Sequence, residues 1–417
     1  MSNFTNFCVT LPLEGDKFLF VNCLNRSILL CSNLSKDKLL KGHHVQNHTM
    51  SFTTWFNQIV QDCNEIKIVI FLTTKCNFCC PYCFQSGFSK NKYQDLTHEV
   101  ADAILSWVIK FADVNQSKVV HLYLYGGEPT LNSSLIEYFA TKGKEKLERK
   151  GLLVIGHMFT NGSILSSPTL RAIESGFIKY LQITLDGPEK IHNLRRPNRN
   201  GTGTFRSIIN NITKILEYSD AEITILSNFD KQNYGYLLEL QEYLLKIELA
   251  PRLFFTFNPV FKTPFNKQYC TLFALPEPDV YHVWSDLYVQ TFNRGFSTDP
   301  LPIFEKGPCS YWRKSHFVFD TVGRIYKCIG MPGVERLSLG HLSQVLPENI
   351  VDTPAYKLSG IIWDNRICKK CPYLPLCLGG CRFQALATYG DITKPYCHKD
   401  VIEQSEFRTI KQLYGRL

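Results

Sequence analysis

The chain has 417 residues, 44% of them hydrophobic and 20% charged, which allows a sizeable core and, by length, roughly two to four folding units. Lys plus Arg exceed Asp plus Glu by 46 to 37; this mild excess lacks the basic stripe of a nucleic-acid binder but would suit an acidic peptide partner. No apolar run nears the roughly 18–20 residues of a membrane span, and MSNFTNFCVTLPLEGDKFLF has no secretion-signal pattern, so a cytoplasmic location is expected.

Residues 1–65 read as a small α+β module. FCVTLP and KFLFVNCLNRSILLCS are short strands with a hairpin turn near Asn25-Arg26, followed by a helical SKDKLLKG. From 66 to 262, short apolar runs alternate with amphipathic stretches. IKIVIFLTT (66–74), VVHLYLYGGEP (119–129), LLVIGHMFTNG (152–162), YLQITLDGP (180–188), EITILSN (222–228) and RLFFTFNPV (252–260) are the predicted strands with the loops they run into. Helical patterns lie between them: from Thr97, with Val100, Ile104, Leu105, Val108 and Phe111 at helical spacing; at 134–149; from Ser167-Pro168 to Gly176; at 204–218; and at 233–247.

Six βα units in series predict an α/β fold, a parallel sheet with right-handed crossovers curled into a partial (β/α)6 TIM-type barrel. Continuous hydrophobicity in the strands predicts a sheet covered on both faces. Loops at the C-terminal ends of such strands build the site, and here they read KCNFCCPYC, GGEPT, TNG and DGP. Residues 263–308, rich in Pro and aromatics, form a bridging region, and 309–417 is cysteine-dense and loop-rich.

The 16 cysteines are clustered, four at 76–83 and seven after position 300, which in a reducing compartment points to metal or iron–sulfur ligation rather than disulfides. Cys8, Cys23, Cys31, Cys63 and Cys270 are scattered and read as small buried hydrophobes. In KCNFCCPYC two groupings compete. Tandem CxxC pairs would give four thiolates for structural zinc, at the expense of strain between adjacent Cys79 and Cys80. CxxxCxxC gives three, Cys76, Cys80 and Cys83, and would leave one iron of a four-iron cluster open.

CxxxCxxC after the first strand, with Tyr82 before its last cysteine and GGEPT after the next strand, resembles the radical S-adenosylmethionine (SAM) superfamily. The resemblance implies a [4Fe–4S] cluster on Cys76, Cys80 and Cys83 whose open iron takes the amino and carboxylate groups of SAM, with Cys79 spare. It implies SAM contacts from Tyr82, from Gly126, Gly127 and Glu128 to the amino group, from Thr160 and Asn161, and from Thr184 and Asp186. IHNLRRPNRNGTGTF (191–205) resembles the H-x-x-x-R segment of peptide-modifying members, with Arg195 first and Arg196 second as partner of the SAM carboxylate; a basic surface loop is the plain alternative.

The later cysteines read C-x13-G-x4-C (Cys309, Gly323, Cys328), then C-x2-C-x5-C-x3-C (Cys368, Cys371, Cys377, Cys381), then Cys397. Zinc knuckles are the alternative reading, but the spacing resembles the SPASM extension of radical SAM enzymes. That resemblance implies two auxiliary [4Fe–4S] clusters, one on Cys368, Cys371, Cys377 and Cys397, the other on Cys309, Cys328 and Cys381. Ile303 stands where some relatives add an upstream cysteine, so the second has an open position that water, a substrate thiolate or a distant residue such as Cys270 could fill.

Relatives with this architecture form a 5′-deoxyadenosyl radical that takes hydrogen from a peptide or protein, with flavodoxin or ferredoxin as external electron donor. The implied function is a maturase of a ribosomally made peptide that installs a thioether or carbon–carbon cross-link. Residues 1–65 resemble the leader-recognition modules of such enzymes, which could take an extended peptide by strand addition; a plain structural extension is the alternative. An anaerobic sulfatase-maturing enzyme making formylglycine is the second reading, opposed by Ile329 where those enzymes place an acidic residue. A non-catalytic iron–sulfur carrier leaves the GGEPT, TNG and DGP loops unexplained.

Overall fold

The computed structural model describes residues 7–13, 17–24, 26–32, 52–85, 94–263, 265–299, 309–358 and 367–414. The N-terminal strands β1 (Cys8–Pro12), β2 (Lys17–Asn22) and β3 (Ser27–Ser32) form an antiparallel sheet in the order β1-β2-β3. Arg26 turns the β2–β3 hairpin at φ 60, while Asn25 and the helix expected at 35–42 lie outside the described residues. A helix over Phe52–Gln61, not expected from sequence, follows.

The six expected barrel strands are all present: β4 (Glu65–Thr73), β5 (Val119–Gly126), β6 (Leu153–Thr160), β7 (Ile178–Thr184), β8 (Glu222–Phe229) and β9 (Leu253–Pro259). They pair in parallel and in sequence order. The sheet does not stop there. β10 (Ser297–Thr298) adds to β9, and β11 (His316–Phe319) joins β4 in parallel, followed by antiparallel β12 (Arg324–Tyr326) and β13 (Gly340–His341). The cysteine-rich region thus continues the barrel's own sheet as an open ten-stranded layer. Strands of two to four residues are too short to show a period in sequence.

The connecting helices follow their local signals. Thr97 caps His98–Asn115 by accepting from the Val100 N–H, and Ser166 caps Ser167–Glu174, with Pro168 in its first turn. The helical stretch expected at 134–149 is Ser133–Tyr138 and Lys144–Glu148 joined by a π turn, Phe139–Gly143. Within the bridging region, helices run over Lys267–Phe273 and Asp279–Asn293. No described helix is long and apolar enough to cross a membrane.

Two cores divide the molecule. On the convex face, the helices pack on Ile66, Ile68, Ile70, Leu122, Leu124 and Ile225. On the concave face, Val69 and Phe71 of β4 share a core with Leu19, Val21 and Trp55 of the N-terminal module and with Trp312, Leu374 and Phe407. The expectation of strands covered on both faces holds for β4 alone. β5 and β6 alternate buried and half-exposed residues along their length, because the concave side of the central strands is a cleft rather than a packed layer.

Candidate active site

The cysteine loop leaves β4 at Thr73 and is held against the loop after β5 by backbone alone. Gly127 N–H donates to Thr73 O (2.9 Å) and Glu128 N–H to Lys75 O (2.8 Å). A Cβ at Gly126 would lie 2.3 Å from Thr73 O, and one at Gly127 2.2 Å from Lys75 O, so the double glycine is what lets the two loops touch.

Glu128 is fully buried and joins the next two loops. Its Oε1 accepts from Thr130 N–H (3.1 Å), Thr130 Oγ1 (2.6 Å) and Thr160 Oγ1 (2.7 Å), and its Oε2 from Asn161 N–H (2.6 Å). Burial raises its carboxyl above the usual value, against the pull of those donors. Asn161 Nδ2 donates to Asn77 Oδ1 (2.8 Å), and Asn77 Nδ2 to Ser163 Oγ (3.0 Å), which ties the TNG loop to the cysteine loop. Sequence reasoning passed over Asn77, whose one signal is its place inside the cysteine motif.

Beyond β7, Thr184 and Asp186 are both buried. Tyr82 OH donates to Asp186 Oδ2, and Asn228 N–H donates to Asp186 Oδ1 (2.9 Å). His192, buried and kept neutral by burial and by the neighbouring Arg196 and Arg195, accepts from Asp186 N–H at Nδ1 (3.2 Å) and sits 3.1 Å from Thr204 Oγ1. The two arginines diverge. Arg195 donates to Asp230 Oδ1 (2.7 Å), Tyr269 OH (3.0 Å) and Asn228 O (3.3 Å). Arg196 donates to Tyr82 OH (2.6 Å) and lies beside Cys80, with a buried Nε that has no hydrogen-bond partner. Asp230 and Tyr269 carried no signal in the sequence, since they meet Arg195 across 35 and 74 residues.

The ten cysteines fall into three neighbourhoods. Cys80 is pushed up to about 12 by burial, with Arg196 opposing and Cys83 and Cys76 adding to it; Cys76 is pushed up to about 11, again chiefly by burial, with Cys83 contributing. Cys381 is raised to about 11 by burial and then Cys309, and Cys328 is raised by burial, Cys381 and Cys309. Cys377 is pushed up to about 12 by burial, with Cys371, Cys368 and Cys397 contributing. Each set feels its own members. Cys79 is exposed, and its Sγ faces Pro197 O (3.7 Å) and Asn198 O (3.8 Å). Cys270 packs with Tyr82 and Val260 next to Cys80, on the side of the first set and not beside Cys309, Cys328 and Cys381. Among the described residues no three His, Cys, Asp or Glu side chains converge as a single bound ion requires.

Tyr125, which sequence reasoning missed, stands between the first two sets. Its OH accepts from Gln85 Nε2 (3.0 Å), its ring meets Phe71 and Phe159 edge-on at 5.0 and 5.5 Å, and its phenol is raised by burial and then by Cys83, with Cys328 also contributing. Three features fit a cluster with SAM: thiols grouped by set, a glycine cradle closed to any side chain, and an orphaned buried guanidinium nitrogen beside Cys80.

Comparison with known proteins bears on the same loops. Residues 70–244 match the Radical SAM superfamily model. The cysteine-type anaerobic sulfatase-maturating enzyme of Clostridium perfringens is 24% identical over 337 residues, 74% of this chain and 86% of that one. The PqqA peptide cyclase of Rhizobium meliloti is 22% identical over 364 residues, 82% and 89% of the two chains. Among solved structures, native anSMEcpe with bound AdoMet and Kp18Cys peptide superposes with a TM-score of 0.64 at 21% identity, covering 85% of this chain and 100% of that one.

Proposed function

Starting from an enzyme whose residues 70–244 are a radical SAM domain, we propose that the chain is a maturase of a ribosomally made peptide, closing an oxidative cross-link, thioether or carbon–carbon. The observation that supports this most is that the motif thiols influence one another in three separate sets, the first of them on a loop that the double glycine clamps against the loop after β5.

In this reading Cys76, Cys80 and Cys83 hold the SAM-binding [4Fe–4S] cluster, and the sets of Cys309, Cys328 and Cys381 and of Cys368, Cys371, Cys377 and Cys397 hold two auxiliary clusters. When bound, the first cluster with SAM supplies one-electron hydrogen abstraction at an unactivated C–H bond, and the auxiliary clusters supply acceptors for the second electron of an oxidation. Glu128, Thr160 and Asn161 hold one side of the SAM pocket, while Asp186, braced by Tyr82 and Asn228, holds the other. Arg195 and Arg196 are the partners for the SAM carboxylate in this reading: each keeps a buried Nε without a hydrogen-bond partner, while Arg195 also donates to Asp230 and Arg196 to Tyr82. Because burial holds the thiols protonated, cluster loading releases protons and is favoured as pH rises.

Among the described residues β3 is an edge strand of the N-terminal sheet and offers the peptide leader a place to add as a further strand. The first electron comes from an external donor, a flavodoxin or ferredoxin. Ile329 follows Cys328 and is half-buried among apolar residues, where formylglycine formation calls for an acid; this favours cross-linking over sulfatase maturation.

Anaerobically reconstituted protein with dithionite and SAM is expected to yield 5′-deoxyadenosine and to carry about twelve irons, and Cys80→Ala is expected to yield none. Co-expression with its peptide substrate, sought as a short reading frame beside its gene, is expected to remove about 2 Da from that peptide. Loss of about 18 Da from a sulfatase peptide would overturn the cross-linking assignment, and wild-type cleavage by Cys80→Ala would overturn the radical one.

A further inference from the structure

The concave face of the central strands carries one row of side chains directly beneath the cofactor loops. Register places Phe71 beside Tyr125, and Phe159, Gln182, Thr224 and Phe254 side by side, while the rings of Tyr125 and Phe159 meet at 5.5 Å, so one row crosses six strands. Their chain neighbours Leu124, Met158, Ile183, Ile225 and Phe255 point the other way, into the convex core. Phe71 is covered by the core shared with the N-terminal and C-terminal regions, but the other five remain partly exposed. In a filled barrel such a row is a packed layer; solvent reaching side chains at the middle of a ten-stranded sheet means that the layer is missing there.

From this row we infer that the cleft is an aromatic subsite, in which Tyr125, Phe159 and Phe254 seat an uncharged aromatic side chain of the peptide. The inference rests on the peptide-maturase reading and narrows its substrate class. Three rings supply faces and edges for stacking, and Gln182 and Thr224 supply an amide and a hydroxyl for a phenol or indole N–H. No carboxylate, ammonium or guanidinium stands in the row, so a Lys, Glu or Asp side chain would enter without a counter-charge. A Cys or Ser side chain is too short to cover the ring faces. Tyr125, bonded to Gln85 just past Cys83 and packed in the same core as Cys328, holds the seated ring between the first and second thiol sets.

The test uses iron-loaded protein with SAM and acetylated, amidated pentapeptides Gly-Ser-X-Ser-Gly, their binding measured by saturation-transfer NMR competition. X = Trp or Tyr is expected to bind at least about fivefold tighter than X = Leu, with Cys, Ser and Lys weaker still. Phe159→Ala and Phe254→Ala are expected to erase that preference. Gln182→Glu, a half-exposed change that leaves the convex core untouched, is expected to move the preference to Lys. The inference is overturned if X = Cys or Ser binds as well as Trp, if the Trp and Tyr peptides show no saturable binding, or if the ranking survives all three substitutions. Formation of 5′-deoxyadenosine without peptide separates the two failures: its loss sinks the radical reading, whereas its presence with no aromatic preference sinks the subsite alone.

Discussion

Cys79 and Cys80 are adjacent in sequence and opposite in environment. Cys80 is turned inward among Cys76, Cys83, Arg196 and Asp186, while Cys79 looks out onto the 197–198 strap. Cys79→Ser is expected to keep iron content and 5′-deoxyadenosine yield within about twofold of wild type, checked by iron assay and chromatography; loss of cluster would restore the tandem-pair grouping. His157 offers a test of burial. It stacks on Tyr123 at 4.2 Å and on Tyr180 at 4.9 Å and lies 2.9 Å from His121 Nδ1. Burial first, then His121 and Lys67, brings it down to about 3. A histidine neutral in the fold but protonated in the unfolded chain contributes stability above its unfolded value near 6.5, and that stability drains away as pH falls from there toward 3. His157→Phe is expected to flatten the fall in urea midpoint between pH 6.5 and 4 relative to wild type.

At the scale of elements, the site is built by loops that fasten one another: the glycine pair against the cysteine loop, Glu128 against the TNG loop, Asp186 against Tyr82. The order of these loops was readable in sequence, since each follows an apolar strand, and so was the capping of the helices. Their fastenings were not, because Asn77 with Ser163 and Tyr82 with Asp186 meet across 86 and 104 residues. Gly127→Ala places a methyl 2.2 Å from Lys75 O. It is expected to cost roughly 1–3 kcal/mol in chemical denaturation and to lower iron incorporation, since the loops must separate to admit it. Unchanged stability and loading would mean that the two loops do not touch in solution.

For the whole molecule, the described residues of the barrel and of its flanking regions share a core and a sheet. Trp55 of the N-terminal helix, Phe71 of β4 and Phe407 near the C-terminus belong to one core, and β11 pairs directly with β4. Trp55→Ala is expected to destabilise by about 3–5 kcal/mol and to lower a single unfolding transition that near-UV dichroism of the whole chain follows. A separate early transition, with the main one unmoved, would show the N-terminal region to be an independent unit.

Strand order and loop positions were legible in the chain, because periodicity and caps are properties of neighbouring residues. Other features had to wait for the fold: that Arg195 meets Asp230 and Arg196 meets Tyr82, that Tyr125 stands between two thiol sets, and that one face of the central strands is open. Each is a contact, or a missing contact, between residues tens to hundreds of positions apart, and such distances are set by how layers pack rather than by local pattern.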